Sequence, residues 1–177
     1  PERLFQKVGP RVLARPIAGT RPRGRTEAED LALERELLAS PKERAEHVML
    51  LDLLRNDLAR VARPGTVRVR ELFTVERYAH VMHLVSEVEG RTGASLGEVF
   101  QSLFPGGTIT GAPKGTVMEA IRELEPVPRG AYTGGLGDVS GRGADFNILS
   151  RAVQRVGEEG LLSAGAGVVI ASEAERE

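Results

Sequence analysis

The chain has 177 residues, 41% hydrophobic and 28% charged, a composition that can bury a core and excludes disordered and collagen-like classes. Its 24 Lys and Arg balance 25 Asp and Glu, so no net field draws polyanions and nucleic acid is not an expected partner. With no cysteine there is no disulfide, thiolate metal site or cysteine nucleophile, and no apolar run approaches the roughly 20 residues of a membrane-spanning helix. A soluble domain with no membrane contact is the expectation. The start at Pro1 and the end at Glu177, inside an acidic stretch, read as a fragment whose targeting segment, if any, lies elsewhere.

In chain order, residues 27–38 place Leu31, Leu33, Leu37 and Leu38 among charges. Ser40 then suits an N-cap, with Pro41 at the first helical position and Glu43 completing a capping box. A long helix is predicted from about Lys42 to Val61, burying Val48, Leu51 and Leu54 or their neighbours and ending before Pro64. Residues 66–78 and 81–88 are rich in β-branched and apolar residues and predict strands. Residues 95–103 and 113–124 read as helices, the first stopped by Pro105-Gly106-Gly107 and the second by Pro126, with Pro113 suited to a first turn. Beyond Pro128, glycine-punctuated apolar stretches at 131–139, 146–156 and 161–171 predict consecutive strands joined by tight turns. Helices and strands mix without strict alternation, which favours an α+β fold, a largely antiparallel sheet flanked by helices, within a single domain.

The 21 glycines invite a phosphate-loop reading that fails letter by letter. Gly106 to Gly111 has Walker spacing, but Ala112 stands where the lysine belongs. Gly135-Leu136-Gly137 meets Ser140 where the dinucleotide fingerprint needs glycine. His80 and His83 lie three apart on a predicted strand, so they point to opposite faces and do not share a metal; His83 alone suits proton transfer. Glu43 and Glu46 leave the same helix face and carry oxygen donors of the kind that suits Mg²⁺, but a solvated face with Lys42 and Arg44 nearby is the plainer account, and spacing alone does not establish a metal site. Asp52, Arg55, Asn56 and Asp57 read as an ion-pair network orienting the helix end. Gly134, Gly135, Gly137 and the glycines of Ala164-Gly165-Ala166-Gly167 mark either a close ligand or bulges. Arg151 sits in an apolar predicted strand and therefore calls for a carboxylate, from the protein or from a substrate.

Several of these segments together resemble the chorismate-binding enzymes. Pro16-Ile17-Ala18-Gly19-Thr20-Arg21-Pro22-Arg23-Gly24 is similar to the P-I-x-G-T-x-x-R-G signature of that family. Glu46-His47, Leu54-Arg55-Asn56-Asp57-Leu58, residues 80–86, Phe104-Pro105-Gly106-Gly107-Thr108 through Gly111-Ala112-Pro113-Lys114, and Ala164-Gly165-Ala166-Gly167 match further blocks in the same order. The likeness runs from Pro1 to Glu177 and implies the α/β sandwich of the chorismate-utilising domain, of which this chain is the C-terminal portion, in a cytoplasmic enzyme.

The resemblance implies that Glu46 binds Mg²⁺, that the ion binds the ring carboxylate of chorismate, and that Glu43 and Glu177 lie beside it. It further implies that Gly19, Thr20, Tyr132, Arg151 and the Gly165-Ala166-Gly167 backbone hold chorismate, with Tyr132 and Arg151 at its pyruvyl carboxylate. Glu2 matches the acid that protonates the departing ring hydroxyl, and His83 assists a later proton transfer. Ammonia is implied to come from a glutamine amidotransferase subunit. A second glutamate ligand and a lysine of the family fall beyond Glu177, so the isolated chain is expected to bind metal weakly and to be inactive.

Ala18 favours anthranilate synthase, since typical aminodeoxychorismate synthases carry lysine there; residues 80–83 and 164–167 agree. Residues 106–110 and 145–148 look more like the aminodeoxychorismate branch. The Arg55-Asn56-Asp57 block resembles ammonia-using members rather than water-using isochorismate and salicylate synthases. A non-catalytic module that keeps the fold is the reading of a different class, and the joint presence of Glu2, Glu46, His83 and Arg151 speaks against it.

Overall fold

The computed structural model describes residues 2–168 and 172, and among these nine strands and five helices are formed. Three strands open the chain: β1 (Arg3–Val8), β2 (Arg11–Arg15) and β3 (Ile17–Pro22). Helices α1 (Glu27–Ala39) and α2 (Pro41–Ala59) follow, then the hairpin of β4 (Arg68–Arg77) and β5 (Val81–Arg91). Next come α3 (Leu96–Leu103), the single turn α4 (Gly107–Thr110) and α5 (Lys114–Leu124). Two hairpins complete the fold, β6 (Gly135–Ser140) with β7 (Gly143–Ile148), and β8 (Ala152–Val156) with β9 (Glu159–Ser163).

Strands β1 to β7 make one antiparallel sheet of seven, while among the described residues β8 and β9 pair only with each other. The order runs β4, β5, β2, β1, β7, β6, and β3 continues the line of β2 along the same edge of β5. Pro16 divides the two because it has no N–H to give the ladder, although its carbonyl still accepts from Ser86 N at 3.3 Å. No helix among the described residues is long and apolar enough to cross a membrane.

Alternation along β5 sorts the two sheet faces. Val88 joins Leu4, Phe5, Val12 and Ile148 under Leu51 and Leu58 of α2 and Val99 and Leu103 of α3, while Met82 and Leu84 pack beneath Leu37 of α1. Each fully buried Leu or Phe of this core contributes about 1.5–3 kcal/mol. On the opposite face Glu87 and Glu89 meet Arg11, Arg15, Arg68 and Arg70. Burial pushes the Glu89 carboxyl up, but hydrogen bonds from Arg68 and Arg11 outweigh it and leave the group below the usual carboxylate range.

Helices α2, α3 and α5 fall where they are expected, with differences that have physical causes, while the single turn α4 follows a stretch read only as a helix stop. Ser40 caps α2 by accepting from Glu43 N, but the reciprocal half of the box is missing because the Glu43 carboxylate turns to Arg21 at 3.0 Å. Val48 is 50% exposed; Leu50, Leu51 and Leu58 fill the interior instead. Pro113 is the N-cap of α5 rather than a first-turn residue. The stretches 131–139 and 146–156 are each shorter or broken strands, interrupted in the second by a bend at Ser150 and Arg151. Of residues 161–171 only Leu161–Ser163 belong to a strand among those described. The polar cluster at 52–57 divides: Arg55 pairs with exposed Asp52, whereas buried Asp57 receives Lys114 at 2.6 Å from α5.

Candidate active site

Four consecutive residues of β3 organise the site. Ile17 N donates to Glu2 Oε1 at 3.3 Å, and the Ala18 carbonyl accepts from His47 Nδ1 at 3.1 Å. A Cβ built on Gly19 would lie 3.0 Å from Glu43 Oε2, and the Thr20 hydroxyl meets His83 Nδ1 at 2.9 Å. The local cause is an irregularity in the β3–β5 ladder between Ile17 and Thr20, where Gly19 takes a φ of 96°. Alanine at Gly19 combines a left-handed backbone penalty with crowding by Glu43 and by Leu37 Cδ1 at 3.1 Å. Gly19→Ala is therefore expected to cost about 2 kcal/mol, read as a thermal midpoint several degrees lower, and to weaken substrate saturation.

His47, only 1% exposed, was not given a role of its own from the sequence. Its Nε2 meets Ser86 Oγ at 2.7 Å, and that oxygen also accepts from Phe73 N at 3.2 Å. A carbonyl can only accept, so Nδ1 carries the proton toward Ala18 and Nε2 accepts from Ser86. Burial lowers the His47 pKa, which favours this neutral form. The residue next to Glu46 thus fixes the β3 backbone between Glu2 and Thr20.

Beside this spine lies a cavity of about 790 Å³, with Glu2, Glu46, Thr108, Tyr132 and residues 164–168 in its wall. Its far wall is the extended segment after β9. Gly165 lies against the Tyr132 hydroxyl, and a Cβ at Gly167 would come within 3.0 Å of Glu46 Oε1, so only glycine leaves both side chains their positions. Gly137, in contrast, faces the Asp145 backbone of the neighbouring strand, and its lack of a side chain serves sheet packing rather than a ligand.

Glu2 is only partly exposed, and its carboxyl is raised from 4.5 to about 7 by burial, against the opposing pull of hydrogen bonds from Thr108 and Ile17. Thr108 Oγ1 donates to Glu2 Oε2 at 3.0 Å. The turn α4 that carries Thr108 is set close to α2, since a Cβ at Gly107 would lie 2.5 Å from Leu53 Cδ2. Lys114 pins the end of the same segment to Asp57. Thr108 belongs to a motif noted in the sequence, but only the fold shows that its hydroxyl meets Glu2.

Burial lowers the His83 pKa, the charge of Arg151 adds to the effect and Glu76 opposes it, which favours the neutral ring. The Tyr78 ring packs 5.6 Å from it, centroid to centroid. His80 lies in the bend before β5 and is exposed. Arg151 differs from expectation: it sits in an exposed bend rather than an apolar strand, so it carries no burial penalty, and no carboxylate of the described residues pairs with it. Glu2, Glu46, Tyr132, Gly165, Ala166 and Gly167 therefore share the cavity wall, while Gly19, Thr20, Glu43, His83 and Arg151 lie along and beyond β3. Glu177 lies outside the described residues. Among the described residues no three His, Asp or Glu side chains form a metal cage.

A family model described as "chorismate binding enzyme" matches residues 1–177. Aminodeoxychorismate synthase component 1 of Bacillus subtilis is 52% identical over 175 residues, covering 97% of this chain and 37% of that protein. An anthranilate synthase component 1 of Haloarcula marismortui is likewise 52% identical over 181 residues, covering all of this chain and 37% of its own length. The crystal structure of anthranilate synthase component I from Streptococcus pneumoniae superposes with a TM-score of 0.75 at 38% identity, over 84% of this chain and 33% of that one. This chain thus spans a little over a third of the curated relatives it matches. With a family match over its whole length, an antiparallel sheet under three helices and a cavity walled by the matching segments, the chain belongs to the chorismate binding enzymes.

Proposed function

We propose that the protein carrying this chain converts chorismate and ammonia to anthranilate and pyruvate. The observation that carries this reading is the buried carboxyl of Glu2, raised to about 7, on the wall that also holds Glu46. Loss of a ring hydroxyl is slow unless the oxygen is protonated as it leaves, and a carboxyl neutral near pH 7 supplies that proton. His83, kept neutral, can accept a proton at Nε2 when its Nδ1–H donates to Thr20, which suits the later step that expels pyruvate and makes the ring aromatic. Arg151 and Tyr132 offer a guanidinium and a hydroxyl to the pyruvyl carboxylate.

Glu46, whose carboxylate borders the cavity, would hold magnesium directly, and Glu43, one turn away on the same face of α2, would assist through water, because this ion uses one or two carboxylates and keeps several waters. When bound, it withdraws electron density from the ring carboxylate it holds. The ammonia is assigned to a glutamine amidotransferase subunit, as the resemblance to the ammonia-using members of the family implies.

Aminodeoxychorismate formation is the second reading: residues 106–110 and 145–148 look more like that branch, and the Bacillus subtilis relative is as similar to this chain, at 52%, as the anthranilate synthase of Haloarcula marismortui. Ala18 supports the first, since the lysine expected for the second is missing at that position. The test incubates the full-length protein with chorismate, ammonium and Mg²⁺ and identifies the product by mass and fluorescence. Fluorescent anthranilate with pyruvate release is the expected outcome. Aminodeoxychorismate without pyruvate moves the protein to the second reading, and no turnover in the presence of a glutamine-hydrolysing partner overturns both.

A further inference from the structure

The two oxygens of Glu2 are not equivalent. Oε1 faces the backbone N–H of Ile17, which can only donate and therefore demands a lone pair. Oε2 faces Thr108 Oγ1 at 3.0 Å, and a hydroxyl both donates and accepts. The carbonyl oxygen of a neutral carboxyl is the better acceptor, so the Ile17 N–H favours Oε1 as carbonyl and Oε2, whose partner can also accept, as the site of the proton. Thr108 is held at that distance by its surroundings: Gly107 against Leu53, Thr110 Oγ1 on the Gly106 carbonyl at 3.1 Å, and Lys114 on Asp57.

We propose that Thr108 is a positioning residue that keeps the transferable proton of Glu2 on Oε2 and reverses its own hydroxyl once that proton has left. The inference rests on the assignment of Glu2 as the acid. In the step, the Oε2–H bond breaks as an O–H bond forms on the departing ring hydroxyl. As ammonia adds to the ring, the ring double bonds shift and the ring C–O bond breaks with its electron pair on oxygen; water leaves, the new nitrogen carries the positive charge, and Glu2 remains as a carboxylate. The Thr108 hydroxyl, which had accepted from Oε2–H or stood aside for the substrate, then donates to Oε2. Threonine thus stabilises the charge only after it has formed, which is differential stabilisation of the kind that accelerates a step.

The test compares Thr108→Val with Thr108→Ser in the full-length protein. Difference infrared spectroscopy without substrate follows the carboxyl stretch of Glu2, assigned by its loss in Glu2→Gln. Losing the donor removes an influence that holds the Glu2 pKa down, so in the valine variant the midpoint is expected to rise by about one pH unit and kcat to fall about tenfold to a hundredfold. Serine is expected to restore both. An unchanged midpoint in a folded valine variant, or a serine variant that behaves like valine, overturns the proposal; Thr108→Ala replaces valine in the comparison should valine prevent folding. A midpoint that shifts as expected while Glu2→Gln retains full turnover would instead overturn the assignment of Glu2 as the acid, since the infrared reading does not depend on chemistry.

Discussion

Glu2→Gln is expected to lower kcat by roughly 10³-fold, within the span that positioned general acids contribute, while leaving chorismate binding nearly unchanged. Glutamine fills the same space and can still accept from Ile17 N, so the β3 spine is preserved and only the proton is lost. The pH dependence follows with a definite sign. Because the Glu2 carboxyl is raised to about 7 by burial, the acid is protonated below that pH, and kcat/KM is expected to fall tenfold per unit above it. The glutamine variant should lack that limb altogether. Stability falls in the same direction: a pKa raised in the folded state from 4.5 to about 7 costs nothing below 4.5, and about 3 kcal/mol is lost as pH rises from 4.5 through 7. Denaturant unfolding at pH 8 should therefore show the inactive glutamine variant to be the more stable protein. A variant that is both inactive and less stable at pH 8 would mean that Glu2 serves packing rather than proton transfer.

What the sequence made legible was whatever depends on neighbours along the chain. The cap at Ser40, the helix over 95–103 with its stop at Pro105, and the β4–β5 hairpin are local, and each is found where its residues place it. The antiparallel character of the sheet was also readable, because short turns cannot join parallel strands. Long-range pairing was not. Nothing local announces that β3 continues β2 beyond Pro16, or that the Thr20 hydroxyl sits directly across from His83. Arg151 shows the limit most clearly: apolar neighbours on either side suggested a buried strand, yet the chain bends there and the guanidinium is exposed. Thr108 was visible only as a letter in a motif, since its meeting with Glu2 closes a gap of 106 residues in sequence. Even the glycines divided on a tertiary criterion, with Gly137 answering to a neighbouring strand and Gly165 and Gly167 to side chains of the cavity.

Glu46 and Glu43 leave the same face of α2, and their surroundings predict different consequences for removing each. Glu46 borders the cavity, with Oε1 turned toward Gly167, whereas Glu43 is held in an ion pair by Arg21, which Glu36 also contacts. Under the proposed magnesium role, Glu46→Gln removes a direct ligand and with it several kcal/mol of stabilisation of developing charge. A loss of about 4 kcal/mol corresponds to a kcat/KM reduced roughly 10³-fold, together with loss of measurable divalent binding. Glu43→Gln is expected to act from outside the coordination sphere and to weaken metal affinity by about tenfold to a hundredfold. Both are read by titrating the full-length variants with Mn²⁺ as a paramagnetic substitute and by varying Mg²⁺ in turnover assays. Excess Mg²⁺ should rescue the Glu43 variant but not the Glu46 variant, because mass action restores occupancy of a weakened site but cannot replace a missing ligand. Equal rescue of the two would place the ion away from Glu46 and return that carboxylate to the solvated helix face from which its spacing alone could not distinguish it.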